Sequence, residues 1–190
     1  MRSLKNAHRK EENDMADLDI RIAGSGGQGV ILCSIIIADA ALEKGSFSAQ
    51  SQSYGPEARG GTCKAEVVIS DNPIDFPKVE NSDFLLAMTQ PALEKYIGLA
   101  KKGSTIMYDD SLTPPENPDL KFVAAPIIST ARDVIKKPMV ANIVAAAVIN
   151  NYLGIADMET LEIATLRNVP KGTEDINRFA LLEGSRIVLG

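Results

Sequence analysis

Asp19-Ile20-Arg21-Ile22-Ala23-Gly24-Ser25-Gly26-Gly27-Gln28-Gly29-Val30-Ile31-Leu32-Cys33 passes from a short segment with alternating isoleucines, through four glycines, into a long apolar stretch. The alternation predicts a strand over Asp19–Ala23. The glycines predict a tight turn over Gly24–Gly29, and the apolar run a helix over Val30–Lys44, closed by Gly45 where left-handed caps occur. Strand, glycine turn and helix in that order make a β-loop-α unit, the opening of a layered α/β domain.

Outward from that unit, Phe47–Gln52 reads as a second strand, Ser53–Gly61 as a glycine-rich loop, and Thr62–Ser70 as a third strand in which Ala65, Val67 and Ile69 alternate with Lys64, Glu66 and Val68. Asp71-Asn72-Pro73 marks a turn. Asp83–Ala87 predicts a strand, Thr89 an N-cap, and Pro91–Ala100 a helix with proline in its first turn. Strands follow at Ser104–Tyr108 and Lys121–Ala124, separated by the proline-bearing loop Leu112–Pro118. Helical spacing marks Ser129–Lys136, Met139–Leu153, Met158–Arg167 and Asp175–Val188, punctuated by Pro138, Gly154 and Pro170-Lys171-Gly172. The alanine-rich stretch Ala141–Ile149 is apolar almost all round, which suits a helix packed on more than one side and a place at a subunit interface. Residues 1–16 are polar and mixed in charge, without the apolar core of a secretory signal, and are expected to be a disordered tail. Residues 17–190 then form one α/β domain, a mixed, mostly parallel sheet flanked by helices.

Composition removes several function classes. The chain has 190 residues, 45% of them hydrophobic, enough for one sizeable core. Its net charge of −5 comes with scattered rather than clustered lysines and arginines, which argues against nucleic acid as a partner. The run Val30–Leu42 contains Asp39, and Met139–Leu153 is broken by Asn142, Asn150 and Asn151. Neither supplies the roughly 20 uncharged residues of a membrane span, so a soluble, cytoplasmic protein is expected. Two cysteines, Cys33 and Cys63, and one histidine, His8, give no metal or cluster ligand spacing. Cys33 reads as a small core residue.

Two motifs carry chemistry. Gly24-Ser25-Gly26-Gly27-Gln28-Gly29 fits G-x-G-x-x-G between a strand and a helix, where backbone N–H groups and the helix dipole favour an anion. The same glycines also serve a loop that merely turns tightly against neighbouring backbone. A dinucleotide fold wants an acid about 20 positions further on to hold the ribose, and Ala49-Gln50-Ser51-Gln52-Ser53 contains none, which disfavours NAD. The second motif, Gln50-Ser51-Gln52-Ser53-Tyr54-Gly55-Pro56-Glu57-Ala58-Arg59-Gly60-Gly61, reads as a long polar loop with one guanidinium, Arg59, beside Glu57. Those two either tie the loop together as an ion pair or present Arg59 to a ligand.

RIAGSGGQGV, then AQSQSYGPEARGGTCKAEVVIS, then DFLLAMTQPALEKY, in that order, resembles the gamma subunit of 2-oxoacid:ferredoxin oxidoreductases, and the YGPEAR form resembles the 2-oxoglutarate branch. The resemblance covers nearly everything after the tail and implies the fold of the gamma domain of pyruvate:ferredoxin oxidoreductase. It implies a complex that decarboxylates a 2-oxoacid oxidatively, forming acyl-CoA and CO2 and passing electrons to ferredoxin or another acceptor. Thiamine diphosphate would lie on alpha and beta subunits and iron–sulfur clusters on a cysteine-rich, ferredoxin-like delta subunit. This chain would contribute assembly surface and coenzyme A handling, with Gly24, Ser25, Gly26, Gly27, Gln28 and Gly29 receiving an anionic group, Arg59 pairing with a phosphate or carboxylate, and Gln52, Ser53, Tyr54 and Glu57 completing the second loop. A purely structural assembly subunit is the competing expectation. No residue stands out as a catalytic acid, base or nucleophile.

Overall fold

The computed structural model describes residues 17–54 and 61–189. The tail expected over residues 1–16, and Glu57 and Arg59, lie outside them. Six strands form one sheet: β1 Leu18–Ser25, β2 Phe47–Tyr54, β3 Thr62–Ser70, β4 Ser82–Ala87, β5 Ala100–Asp109 and β6 Lys121–Ala125. The spatial order is β2-β3-β1-β4-β5-β6. β1, β4, β5 and β6 run parallel, whereas β3 is antiparallel to both β1 and β2. β2 therefore points the same way as β1, and β3 is the one reversed strand, folded back between them. This is the mixed sheet expected from consecutive strands around Gly60-Gly61.

The helices are α1 Val30–Glu43, α2 Gln90–Tyr96, the single turn α3 Ile127–Ser129, α4 Ala141–Leu153, α5 Met158–Asn168 and α6 Glu174–Ser185. α1, α4, α5 and α6 share a core with Ile20, Ile22, Val67, Phe84, Leu86 and Met107 from one face of the sheet. Ala23, Leu85, Ala87 and Ile106 point to the other face, where α2 supplies Ala92, Leu93 and Tyr96. All ten residues from Ala141 to Asn150 are buried. α4 is thus the central helix of its layer, and its small alanines admit α1, α5 and α6 close on several sides. Its apolar surface is consumed inside this chain, which corrects the expectation that it lines a subunit interface. Its two ends stand out, with Met139 of the lead-in 83% exposed and Tyr152 of the last turn 38% exposed.

Local chemistry explains where the sequence-based boundaries fail. The helix expected over Pro91–Ala100 stops at Tyr96, tightens into a three-residue turn at Ile97–Leu99, and Ala100 already begins β5. Thr89 occupies the N-cap position but its side chain makes no capping bond. The helix expected over Ser129–Lys136 is instead the short α3 followed by a wide turn over Thr130–Val134, with the Ile135 N–H bonded to the Thr130 carbonyl. Pro138 disfavours helical backbone at the residue before it and so ends the segment. Lys137 is extended (φ −139°), and Lys136 takes a left-handed φ of 62° to exit the turn.

Candidate functional site

The cross-strand register brings the glycine motif and the described ends of the second motif to one edge of the sheet. Gly24 stands opposite Cys63 and Ser25 opposite Thr62 across β1 and β3, while Tyr54 of β2 stands opposite Cys63 from the other side. The Met88 N–H donates to the Ala23 carbonyl at 2.8 Å, so the chain leaving β4 joins the same row. This is the carboxyl edge of the parallel strands. Here α1 leaves toward one face and α2 toward the other, the switch point at which open α/β sheets bind ligands. A pocket of about 150 Å³ opens there, lined by Gly24, Ser25, Gly61, Thr62, Thr89 and Pro91.

The six residues of the glycine motif divide by what each one meets. A Cβ on Gly24 would sit 2.5 Å from the Gln28 side-chain oxygen. That oxygen accepts from the Ser25 N–H at 2.7 Å, and the Gln28 amide reaches the Met88 carbonyl at 3.5 Å. Gln28 thus clasps the turn between β1 and β4, and Gly24 leaves it room. Gly29 has φ 72° and is the N-cap of α1; a Cβ there would lie 2.6 Å from the Asn142 amide nitrogen. Gly26 and Gly27 face open space, with Gly27 at φ 92°. Gly24, Ser25, Gln28 and Gly29 therefore build the loop, the Ser25 carbonyl accepting from the Gln28 N–H at 3.2 Å, and Gly26-Gly27 is its exposed tip.

The end of α1 beneath this loop carries no side-chain cap and no acid in its first turn. Its first N–H groups lack intrahelical partners and carry the positive end of the helix dipole. Gln50 bonds Ser34 of α1 at 3.0 Å. Gln52, one side-chain repeat further along β2 on the same face, is exposed, as is Ser53. Cys33 is fully buried, and burial pushes its thiol far above the ordinary range, so it stands as the small core residue expected. Asp109, at the end of β5, is buried and spent on the backbone: it accepts from the N–H groups of Ser111 and Ile128 at 3.2 and 2.7 Å. A larger hollow of about 520 Å³ lies between α5 and α6, remote from both motifs. Among the described residues no cluster of His, Cys, Asp or Glu has the makings of a metal site, and no helix is long and apolar enough to cross a membrane. Sequence patterning missed Asn142, which looks only like a polar interruption of an apolar run.

Stability separates these glycines. Gly29→Ala meets both left-handed strain and the Asn142 side chain and is expected to cost about 2–3 kcal/mol. Gly26→Ala, with normal backbone and open space, should leave the thermal midpoint within error of the parent. Equal midpoints for the two variants would contradict this division.

An α/β domain with a glycine loop at the carboxyl edge of its parallel strands is the class that fold and site define. The model of the pyruvate ferredoxin/flavodoxin oxidoreductase family matches residues 19–187. The 2-oxoglutarate synthase subunit KorC of Methanocaldococcus jannaschii is 42% identical, covering 89% of this chain and 92% of that one. The keto/oxoacid ferredoxin oxidoreductase gamma subunit from Geobacter sulfurreducens superposes with a TM-score of 0.80 at 39% identity, over 90% of this chain and 95% of that one. The 2-oxoglutarate:ferredoxin oxidoreductase of Magnetococcus marinus shares the fold at 23% identity and a TM-score of 0.79, over 90% of this chain and 31% of that one. The chain belongs to the pyruvate ferredoxin/flavodoxin oxidoreductase family, as a gamma-type subunit of a 2-oxoacid:ferredoxin oxidoreductase complex.

Proposed function

We propose that this subunit handles coenzyme A for a 2-oxoglutarate oxidoreductase in the cytoplasm, receiving an anionic part of the cofactor at the Gly24–Gly29 edge. The observation that carries the proposal is the register: it sets the exposed Gly26-Gly27 tip, the uncapped start of α1, and both described ends of the second loop, Tyr54 and Thr62, at one strand edge. Backbone donors and a helix terminus suit phosphate without a dedicated basic pocket. Arg59, with its planar fork, would pair with a phosphate or with a carboxylate at the subunit boundary, while Gln52, Ser53 and Tyr54 offer neutral hydrogen bonds. The name of the methanococcal relative, a 2-oxoglutarate synthase subunit, supports 2-oxoglutarate as the oxoacid. Thiamine diphosphate on alpha and beta subunits and iron–sulfur clusters on a delta subunit would supply decarboxylation and electron transfer to ferredoxin. This chain contributes position and charge rather than a reacting atom.

One observation favours the competing reading, a subunit that only assembles. Gly24, Gln28 and Gly29 are all accounted for by contacts within the chain. Coenzyme A titration of the isolated chain and of the reconstituted complex separates the two. Arg59→Ala should weaken coenzyme A use or subunit association by about 1.5–3 kcal/mol, the worth of a charge-assisted hydrogen bond. Arg59→Lys should recover only part, keeping charge without the fork. Unchanged activity in a complex built on a destabilised Arg59→Ala chain would make Arg59 a structural tie and remove it from the site.

A further inference from the structure

Asn142 is a buried amide without an assigned task. It lies in the first turn of α4 and is 5% exposed. Its carboxamide rests against Gly29, with nitrogen and carbon 2.6 and 2.8 Å from the point a Gly29 Cβ would occupy. Among the described residues it makes no hydrogen bond, whereas the other buried asparagines do: Asn150 holds both the N–H and the carbonyl of Ala156, and Asn177 donates to Thr173. A buried amide left without a partner destabilises the fold. The fully enclosed side-chain polar atoms without partners among the described residues belong to Ser48 and Ser82. Asn142 is not one of them, and its carboxamide lies against the N-cap of α1.

Packing alone does not explain an asparagine here. The residues after it, Ile143, Val144, Ala145, Ala146 and Ala147, are all apolar and buried, and an alanine would spare the desolvated amide. What the position does have is an uncapped 14-residue helix whose N-cap glycine is left-handed and whose first turn carries no acid. The carboxamide stands where a side-chain donor would complement those free backbone N–H groups. We infer that Asn142 is a ligand-contacting residue of this site, donating its amide to a phosphoryl or carboxylate oxygen held at the start of α1. This rests on the anion-receiving role proposed for the glycine loop and adds α4 as a second wall of that site.

The test titrates coenzyme A and inorganic pyrophosphate, at constant ionic strength, into the complex reconstituted with the parent chain, Asn142→Ala or Asn142→Asp. If the amide is a donor to an anion, affinity falls in the order parent, alanine, aspartate. We expect about fivefold loss for alanine and more than tenfold for aspartate, whose carboxylate opposes the ligand. If the amide only fills space, the order changes: aspartate, nearly identical in shape, should bind like the parent and alanine should be the weaker variant. Melting of each isolated full-length chain guards against misfolding, and the comparison survives the loss of either variant because the other still binds more weakly or does not. Parent-like affinity in a folded variant overturns the assignment of Asn142 and leaves the loop proposal standing. A parent complex that binds neither pyrophosphate nor coenzyme A overturns both.

Discussion

Replacing Arg21 by Met should cost about 3–5 kcal/mol of folding free energy in urea denaturation, more than any substitution at the sheet edge. Arg21 is in the middle of β1, 1% exposed, and directly opposite Glu66 on β3. Its Nε donates to the Glu66 carboxylate at 2.8 Å, and its two terminal nitrogens reach the carbonyls of Leu99 (3.1 Å), Val79 (2.8 Å) and Glu80 (3.2 Å). One guanidinium thus ties β1 to β3, to the segment that leads into β4, and to the turn before β5. The sheet needs this because α2 covers only part of that face. Methionine fills similar volume but leaves a buried carboxylate with Lys64 as its remaining charge partner, and strips three carbonyls of their donor. Removing one member of a buried pair is far costlier than replacing both. Arg21→Met with Glu66→Met should therefore recover part of the loss, but not all, because the carbonyls stay unpaired. Arg21→Lys should recover little, since an ammonium cannot present donors to four acceptors in one plane. A loss below about 1 kcal/mol for Arg21→Met would show that water replaces the guanidinium and that this face is not sealed.

How much of this was legible in the sequence follows from which interactions are local. β1, the glycine turn and α1 are visible because strand and helix differ in period and the glycines mark the change. β3 betrays itself by alternation, yet the alternation misleads at Glu66, which sits on the nominally polar face and is buried by its pairing with Arg21. Nothing in the spacing of positions 21 and 66 announces that pair; only strand register creates it. The beginning of β5 was hidden for a similar reason: Lys101, Lys102 and Gly103 look like a loop, but Lys101 reaches Asp19 and Asp83 across the sheet, at 2.9 and 2.8 Å. The candidate site divides in the same way. The motif Gly24–Gly29 announces a special loop, whereas the reason for Gly29, the side chain of Asn142 more than a hundred residues later, depends on how α4 docks on α1.

Gly184→Leu should be the most damaging single change on the helical layer, with a loss of about 3 kcal/mol or more, and the sign of Gly184→Ala tests why. Gly184 is in the last turn of α6, where alanine is still intrinsically favoured over glycine, by up to about 1 kcal/mol. Propensity alone therefore predicts a more stable protein. Packing predicts the opposite. A Cβ at Gly184 would lie 2.7 Å from the Ala147 methyl, 2.9 Å from the Val144 carbonyl oxygen and 3.2 Å from the Val144 Cα. Two of those three atoms are backbone and the third has no rotamer to escape into, so the only relief is to part α6 from α4. Overpacking of this kind typically costs about 1–3 kcal/mol, enough to outweigh the gain in propensity, and Gly184→Ala should melt below the parent. Leucine adds three more carbons to the same seam. Ala147→Gly should relieve only part of the alanine clash, because the Val144 carbonyl stays in place. The damage should also reach the sheet edge, since α4 is clamped between α6 and α1 and its first turn carries Asn142 against Gly29. A folded Gly184→Ala chain that assembles should therefore bind pyrophosphate more weakly than the parent although the substitution is remote from the loop. If Gly184→Ala instead raises the melting temperature, α4 and α6 are loosely docked and α4 cannot be the rigid wall that fixes Asn142.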